Sequence, residues 1–205
     1  MALTDTEICT RALVRLGSGG IDSLTDGSDK AVACNAIYTS ILENELGSFP
    51  WRFGMKKQQL NRLVDTPVNE WRYAYQLPTD RIGAPWAVFA SNGIGASPIK
   101  QFEIFSDKLY TDHQLIYCDY PYKVTENMFP AYFTEFFVLA LAAALAIPIT
   151  DQANLASHYE EKAYGRPHEN GLGGQLARAR NADQAQQPPQ MMESFELIEA
   201  RHAQA

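Results

Sequence analysis

The sequence predicts a mainly α-helical α+β fold, in which an antiparallel β-sheet is inserted between the second and third helices of a helical bundle. Helical periodicity opens the chain and returns after residue 125, whereas aromatic and β-branched residues alternate with polar ones in between. After residue 183 the chain becomes polar and proline-interrupted, which is typical of an extended arm, with a frayed terminus as the alternative. The expected units are the bundle (1–70 and 126–183), the β-rich insertion (71–125) and the C-terminal arm (184–205).

The first two helices are marked by their start signals. Thr4 and Glu7 have the spacing of a capping box, and a glycine-rich stretch follows the first apolar stripe. Asp26 or Ser28 is the expected N-cap of the second helix, because short polar side chains accept hydrogen bonds from the first turn. We expect that helix to run from about residue 29 to 46.

An aromatic string, FPWRF at 49–53, ends the second helix. We expect Phe49 and Trp51 to pack as core residues, and the following stretch up to Leu63 to be a short helical or irregular piece. Strands are expected from Trp71 to Tyr122, with turns at 107–108 and 111–113. The glycine-rich loop at 91–98 matches neither a dinucleotide-binding nor a P-loop pattern, so a hairpin or flexible loop is the default reading.

The stretch 129–149 is apolar enough to resemble a membrane span. It contains Glu135, however, and a charge within a span costs about 3 kcal/mol on insertion scales. No basic cluster flanks it, so we expect a central bundle helix over about 130–146, with Pro130 in its first turn. Glu135 could be a buried catalytic acid, but pairing with an arginine, facing a groove or lying at a wet helix edge are the commoner roles.

Two further helices are expected after the apolar one. The segment 149–151 is the predicted cap of the first, on which Leu155, Tyr159 and Ala163 share one face. Glycines and prolines at 165–174 interrupt the pattern, and a short Ala- and Arg-rich helix follows over about 175–183.

The charge of the chain is −7 in total and unevenly distributed. Residues 1–50 carry a net −4 and residues 51–81 a net +3. The acidic total argues against tight binding to nucleic-acid phosphates. The asymmetry suits head-to-side contact between copies, and a solvated mixed face is an equal reading.

No catalytic, cofactor-binding or metal-ligating set is recognised in the sequence. The three cysteines are far apart without a CxxC pair, and no two of the four histidines have the i, i+4 spacing of a metal-binding helix. A GxSxG nucleophile motif is lacking as well. We expect reduced, buried cysteines, a non-enzymatic protein, and aromatic clusters that serve in packing and contacts rather than in base stacking.

Several segments, read in order, resemble one family. They are the N-terminal string at 4–17, FPWRF at 49–53, WRYAYQLPTD at 71–80 and LAIPIT at 145–150. Together they are similar to the head–tail adaptor proteins of tailed phages and gene transfer agents, the group that includes the tail tubular protein A type. The resemblance spans roughly residues 3–165 and contains no catalytic signature.

The resemblance implies a structural virion protein located in the neck and assembled in the host cytoplasm. Twelve copies would form a ring between the portal protein and the tail or neck proteins. Double-stranded DNA would pass through the lumen without specific binding, and no membrane would be involved. The implied contacts are portal docking by the arm residues Phe195, Leu197, Ile198 and Arg201, and subunit or tail contacts by Arg52, Trp71, Tyr73 and Tyr75.

Three other functions remain open on sequence alone. The chain could be another ring protein such as a tail terminator or neck protein, a small cytosolic enzyme with an unrecognised site, or an interaction domain with no viral connection. Metal dependence or a pocket with convergent carboxylates would favour the enzyme. Neighbouring portal and tail genes would favour a virion protein.

Overall fold

The computed structural model describes residues 3–169 and 173–186. Within them the chain has the predicted α+β architecture: helices at both ends and two small antiparallel sheets between the second and third helices. The helices are α1 (Asp5–Arg15), α2 (Asp29–Ser48), α3 (Ala131–Thr150), α4 (Ala153–Tyr164) and α5 (Gly174–Gln184). The strands are β1 (Met55–Gln59), β2 (Asn61–Arg62), β3 (Tyr73–Gln76), β4 (Ala87–Phe89), β5 (Glu103–Phe105), β6 (Lys108–Thr111) and β7 (Tyr117–Pro121).

The helix starts follow the predicted caps in the first half of the chain. Thr4 and Glu7 form a complete capping box at α1, and Ser28 accepts a hydrogen bond from the backbone N–H of Ala31 at the start of α2. Gly17 takes a left-handed φ of 73° directly after α1, a conformation that costs glycine little.

The apolar helix α3 lies at the centre of the bundle and packs against α1, α2, α4 and α5. By length and composition it is the one helix, within the described residues, that could cross a membrane, and 61% of that window is buried inside the protein. Its burial explains why it is apolar on nearly every side: it has neighbours all around it.

Helix α3 starts within one residue of its predicted start and ends four residues later than predicted. Pro130 is its N-cap rather than a residue of the first turn, and the helix continues through Pro148 to Thr150. A proline in the last turn removes only one hydrogen bond, and the end is closed by the backbone N–H of Asp151, which donates to the carbonyl of Ile147. Asp151 is therefore the left-handed C-cap of α3, and α4 starts after Gln152.

The strands begin earlier than predicted. Residues 55–62, expected to be helical or irregular, form β1 and β2, which pair with β7 and β3. One sheet has the order β1-β7-β4 and the other β2-β3-β6-β5. The turn after β5 lies at 106–107, one residue before the predicted 107–108, and β6 includes Thr111, so the next turn starts at 112 rather than at 111. Ser106 in the first of these turns has a φ of 56°.

The insertion has a hydrophobic core of its own. Its fully buried members include Tyr75, Leu109 and Tyr120, and this core is distinct from the larger one of the helices. Tyr122 packs against both cores, and its backbone N–H donates to the carbonyl of Gly54. The polypeptide therefore enters and leaves the insertion through a pair of adjacent, hydrogen-bonded residues.

Candidate functional site

A buried carboxylate fixes the end of α5, from which the C-terminal segment departs. Asp183 is 1% exposed. Its carboxylate accepts the backbone N–H of Arg52 at 3.0 and 3.3 Å and the hydroxyl of Tyr132 at 2.7 Å. Gln186 donates from Nε2 to the same Tyr132 hydroxyl at 3.2 Å. We call these four residues, Arg52, Tyr132, Asp183 and Gln186, the arm root.

The aromatic string at 49–53 presents the Arg52 backbone to Asp183. Trp51 is 1% exposed, as predicted, and its indole N–H donates to the carbonyl of Glu45 at 2.8 Å. Its ring packs at centroid distances of 4.8 to 6.4 Å against Phe49, Phe53, Phe133 and Phe136. A short 3-10 helix, Arg52–Gly54, follows at once and turns the Arg52 N–H inward. The tryptophan thereby sets the geometry of the arm root.

A second buried carboxylate lies under the same aromatic cluster. Glu45 is 4% exposed and accepts the hydroxyl of Tyr164 at 2.6 Å. Burial raises the pKa of the Glu45 carboxyl above its ordinary range, while the Tyr164 hydroxyl and the positive charge of Arg180 act in the opposite direction. The Arg180 guanidinium lies 5.1 Å from the Phe49 ring centroid, which links α5 to the end of α2.

The residues expected at subunit or tail contacts are not all at the surface. The Arg52 side chain is exposed, whereas Trp71 and Tyr73 are half-buried. Trp71 donates from Nε1 to Glu103 at 3.0 Å, and the Arg62 guanidinium lies 5.2 Å from the Tyr73 ring centroid. Both aromatic rings therefore have polar or charged partners within the insertion.

Tyr75 is a correction to the interface prediction. It is 1% exposed, and its hydroxyl donates to the carbonyl of His113 at 2.6 Å, so its side chain belongs to the core of the insertion. Strand alternation does not separate the two tyrosines, because Tyr73 and Tyr75 point to the same side of β3. Tyr73 is the first residue of the strand and stays half-buried, whereas Tyr75 lies opposite Leu109 of β6 within the core. The arm residues Phe195, Leu197, Ile198 and Arg201 lie outside the described residues.

Two loops of the insertion carry apolar side chains in full contact with solvent. Val64 and Val68, in the loop between β2 and β3, are 100% and 107% exposed. Ile94, in the glycine-rich loop between β4 and β5, is 110% exposed. The loop prediction for 91–98 is confirmed. Each apolar side chain of this size gains about 1.5–3 kcal/mol when it is fully buried, so these loops can contribute to a contact with another protein.

A cluster of polar groups joins β1, β7 and the loop before β4. Lys56 donates to Asp80 at 2.7 Å, and the buried Tyr120 hydroxyl lies 3.0 Å from both Asp80 and Gln58. The Lys56 ammonium, by its hydrogen bond, lowers the pKa of the Asp80 carboxyl, while burial raises that of the Tyr120 hydroxyl. These contacts tie the loop to the sheet and satisfy the buried hydroxyl.

Glu135 has the arginine partner that was one of its expected roles. Its carboxylate accepts from the Arg15 guanidinium at 2.7 and 2.8 Å, and its side chain is 48% exposed. The pair joins α3 to the end of α1, and Tyr159 of α4 adds a hydrogen bond from its hydroxyl to the Arg15 carbonyl at 2.5 Å. Glu135 is thus a surface residue in an ion pair, and not a buried acid.

The same ion pair borders a cleft of about 610 Å3 between α1, α3, α4 and α5. We call it the basic cleft and define it by six of its lining residues: Arg15, Glu135, Leu139, Lys162, Ala177 and Arg178. Three cations and one carboxylate give this set a net charge of +2. The net charge of the basic cleft is therefore opposite in sign to the total charge of the chain, which is −7.

The cysteines are buried and free, as expected. Cys9 and Cys34 contact each other across α1 and α2, and burial together with the neighbouring Asp119 carboxylate raises the pKa of the Cys118 thiol to about 12. Within residues 3–169 and 173–186, no group of three or more His, Cys, Asp or Glu side chains could hold a metal ion.

The arm root and Glu45 were missed as sites by sequence reasoning. A signal existed for Glu45, because it follows Tyr38 and Leu42 at helical spacing and so falls on the buried face of α2. Asp183 gave the same kind of signal, because it follows Leu176 and Ala179 at helical spacing and so falls on the buried face of α5. Comparison of the chain with models of known protein families and with curated proteins finds no match.

Proposed function

We propose that this protein is a structural virion component, a head-to-tail adaptor that forms a ring between the portal and the tail of a tailed phage. Twelve copies would surround a lumen through which double-stranded DNA passes without specific binding. The C-terminal arm would dock on the portal, and the insertion would face neighbouring subunits or the tail.

The observation that carries the proposal is the agreement between motif order and element order. The strings that resemble the adaptor family fall on α1, on the aromatic turn after α2, on β3 and on the end of α3. These are the positions that a bundle with an insertion between its second and third helices requires. The fold that the resemblance implies, a helical bundle with a β insertion, therefore agrees in class and element order with the observed α+β fold, apart from the additional strands β1 and β2.

The hydrogen bonds of the arm root favour a C-terminal arm that transmits force between two rings. A segment that links two rings transmits force to its point of attachment, so this point must resist pulling. Asp183 is held by two donors, from the turn after α2 and from α3, and is almost completely buried. The C-terminal segment therefore starts from a fixed position on the bundle.

The exposed apolar loops support contacts made by the insertion. Val64, Val68 and Ile94 are surrounded by solvent in the single chain, and a ring would offer surfaces that cover them. Because the insertion has its own core, its loops are held by a folded unit and not by a free linker. Such a unit can present its loops to a neighbour at a low entropic cost.

The test is binding to portal rings from the same phage. The full chain and a chain that ends at Gln186 are each mixed with portal, and co-sedimentation is measured. The proposal predicts that the full chain binds and that removal of 187–205 abolishes binding while the circular dichroism spectrum of the helices is kept. A full chain that fails to bind portal at micromolar concentration would overturn the adaptor role, and equal binding by both chains would overturn the arm.

A further inference from the structure

We propose that the basic cleft is a docking site for the C-terminal segment of the same chain, residues 191–199, in the free protein. Two properties of the cleft carry the inference: its charge and its composition. A further observation also supports it, namely the short distance from the cleft to the point where the chain leaves α5. The inference concerns the isolated chain and does not depend on the adaptor role.

The first property is the positive charge that the cleft leaves open. Arg15 is already paired with Glu135 at 2.7 Å. Lys162 and Arg178 are exposed, and neither has a carboxylate partner among residues 3–169 and 173–186. The nearby Glu169 carboxylate accepts the backbone N–H of Arg166 at 2.7 Å. Two cations therefore face the cleft, and an acidic ligand would complement them.

The second property is a mixed lining that matches the segment. Leu139, which is 6% exposed, and the half-buried Ala177 give the cleft a small apolar part. In the sequence 191–199, three glutamates recur at every third position between apolar residues, namely Glu193, Glu196 and Glu199. Apolar side chains can cover the exposed part of Ala177 and the small exposed edge of Leu139 while carboxylates reach Lys162 and Arg178. Charge-assisted hydrogen bonds of this kind are about twice as strong as neutral ones.

The third observation is reach. The described chain ends at Gln186 beside Tyr132, and Arg178 lies on the helix that leads there. A helix rises 1.5 Å per residue, so Arg178 lies roughly 12 Å back along α5. The four residues 187–190 span up to about 14 Å when extended, which suffices to reverse direction and bring residue 191 to the cleft. A short tether of this kind also gives a high effective concentration.

Docking in cis gives the free chain a closed state. The apolar residues of the segment 191–199 would stay covered by the cleft until a competing surface binds the segment more tightly. Release of the segment would leave Lys162 and Arg178 free. A ligand shifts such an equilibrium only by its difference in affinity for the two states. The closed state would thus suppress premature contacts of a sticky terminus.

Hydrogen exchange of the full-length chain, read by mass spectrometry at about 50 mM salt, tests the proposal. Three variants are compared with the wild type: K162E/R178E in the cleft, E193K/E196K/E199K in the segment, and all five changes together. Lys100→Glu is the matched control, because Lys100 is an exposed cation in the insertion. Circular dichroism of each variant verifies the fold.

We expect amides of 191–199 to exchange at least about ten-fold more slowly than in the free peptide. Either charge reversal alone should remove that protection, the combined reversal should restore most of it, and Lys100→Glu should leave it unchanged. Wild-type exchange at the free-peptide rate would overturn the proposal. Protection that survives K162E/R178E, or that the combined reversal fails to restore, would also overturn it, because the segment would then contact a different surface.

Discussion

Replacement of Asp183 by alanine is expected to lower the free energy of unfolding of the bundle by more than most single substitutions in a short helix do. The carboxylate accepts the Arg52 N–H and the Tyr132 hydroxyl, and these donors come from segments 131 and 51 residues away in sequence. Alanine keeps the helical backbone of α5 but removes both acceptors. The two donors are then left without a partner in a site that is almost closed to water.

The size of the effect follows from the two hydrogen bonds. Each bond to a charged acceptor contributes about 1.5–3 kcal/mol, and an unsatisfied buried donor costs a similar amount. Two effects reduce the sum of these costs. Alanine removes a charge whose burial is itself unfavourable, and water partly reaches the half-buried Tyr132 hydroxyl. We therefore expect a loss of about 2–4 kcal/mol in the free energy of unfolding. Asp183→Asn keeps one carbonyl acceptor and should lose less.

Urea unfolding followed by circular dichroism measures this loss. With a urea dependence of about 2 kcal/mol per molar, the midpoint should fall by roughly 1–2 M at an unchanged slope. Asp22→Ala is the control, since Asp22 is exposed, and a surface change of this type stays within about 0.5 kcal/mol. A loss from Asp183→Ala no greater than the control's would refute the claim that the arm root is held by this carboxylate.

Two further predictions concern the residues beneath the arm root. Trp51→Ala should lower the free energy of unfolding in urea by about 3–5 kcal/mol, because it opens a cavity among four phenylalanines and removes the hydrogen bond to the Glu45 carbonyl. The control Trp86→Ala, at a residue that is 48% exposed, should lower it by less than about 1.5 kcal/mol. Equal losses would contradict the core role of Trp51. Burial raises the pKa of the Glu45 carboxyl in the folded state. The folded protein therefore binds more protons than the unfolded one near the ordinary glutamate pKa of 4.5 and above it. The free energy of unfolding should consequently fall as the pH rises through this range. Glu45→Gln should remove that loss, and parallel stability-against-pH curves for both proteins between pH 4 and 7 would show the reasoning to be wrong.

The sequence predicted most helices because their signals are local. Thr4, Ser28 and the glycines after α1 act within one turn, and the apolar run of α3 marks a helix buried on nearly every side. The strands of the insertion were predicted from Trp71 onward by alternation. These features depend on neighbours in sequence, which is the information that a single chain offers.

The features that were missed depend on partners far away in sequence. The sequence MKKQQ of β1 has four exposed residues in a row and becomes a strand because it pairs with β7, 62 residues later. An arginine partner was one of the expected roles of Glu135, but the identity of that partner, Arg15, could not be predicted because it lies 120 residues away. The Asp183 hydrogen bonds likewise join α5 to the turn after α2. Tyr75 was misplaced for the same reason, because alternation indicates two sides of a strand but not which of them is covered at each position.

The adaptor role is tested most directly by counting this chain in purified particles. Quantitative mass spectrometry with isotope-labelled peptides would compare its copy number with that of the portal protein from the same virion. A ring of matching symmetry predicts a ratio near one to one, and the chain should remain with the portal when tails are detached from heads. Absence of the chain from particles, or a trace amount far below the portal, would contradict the adaptor role.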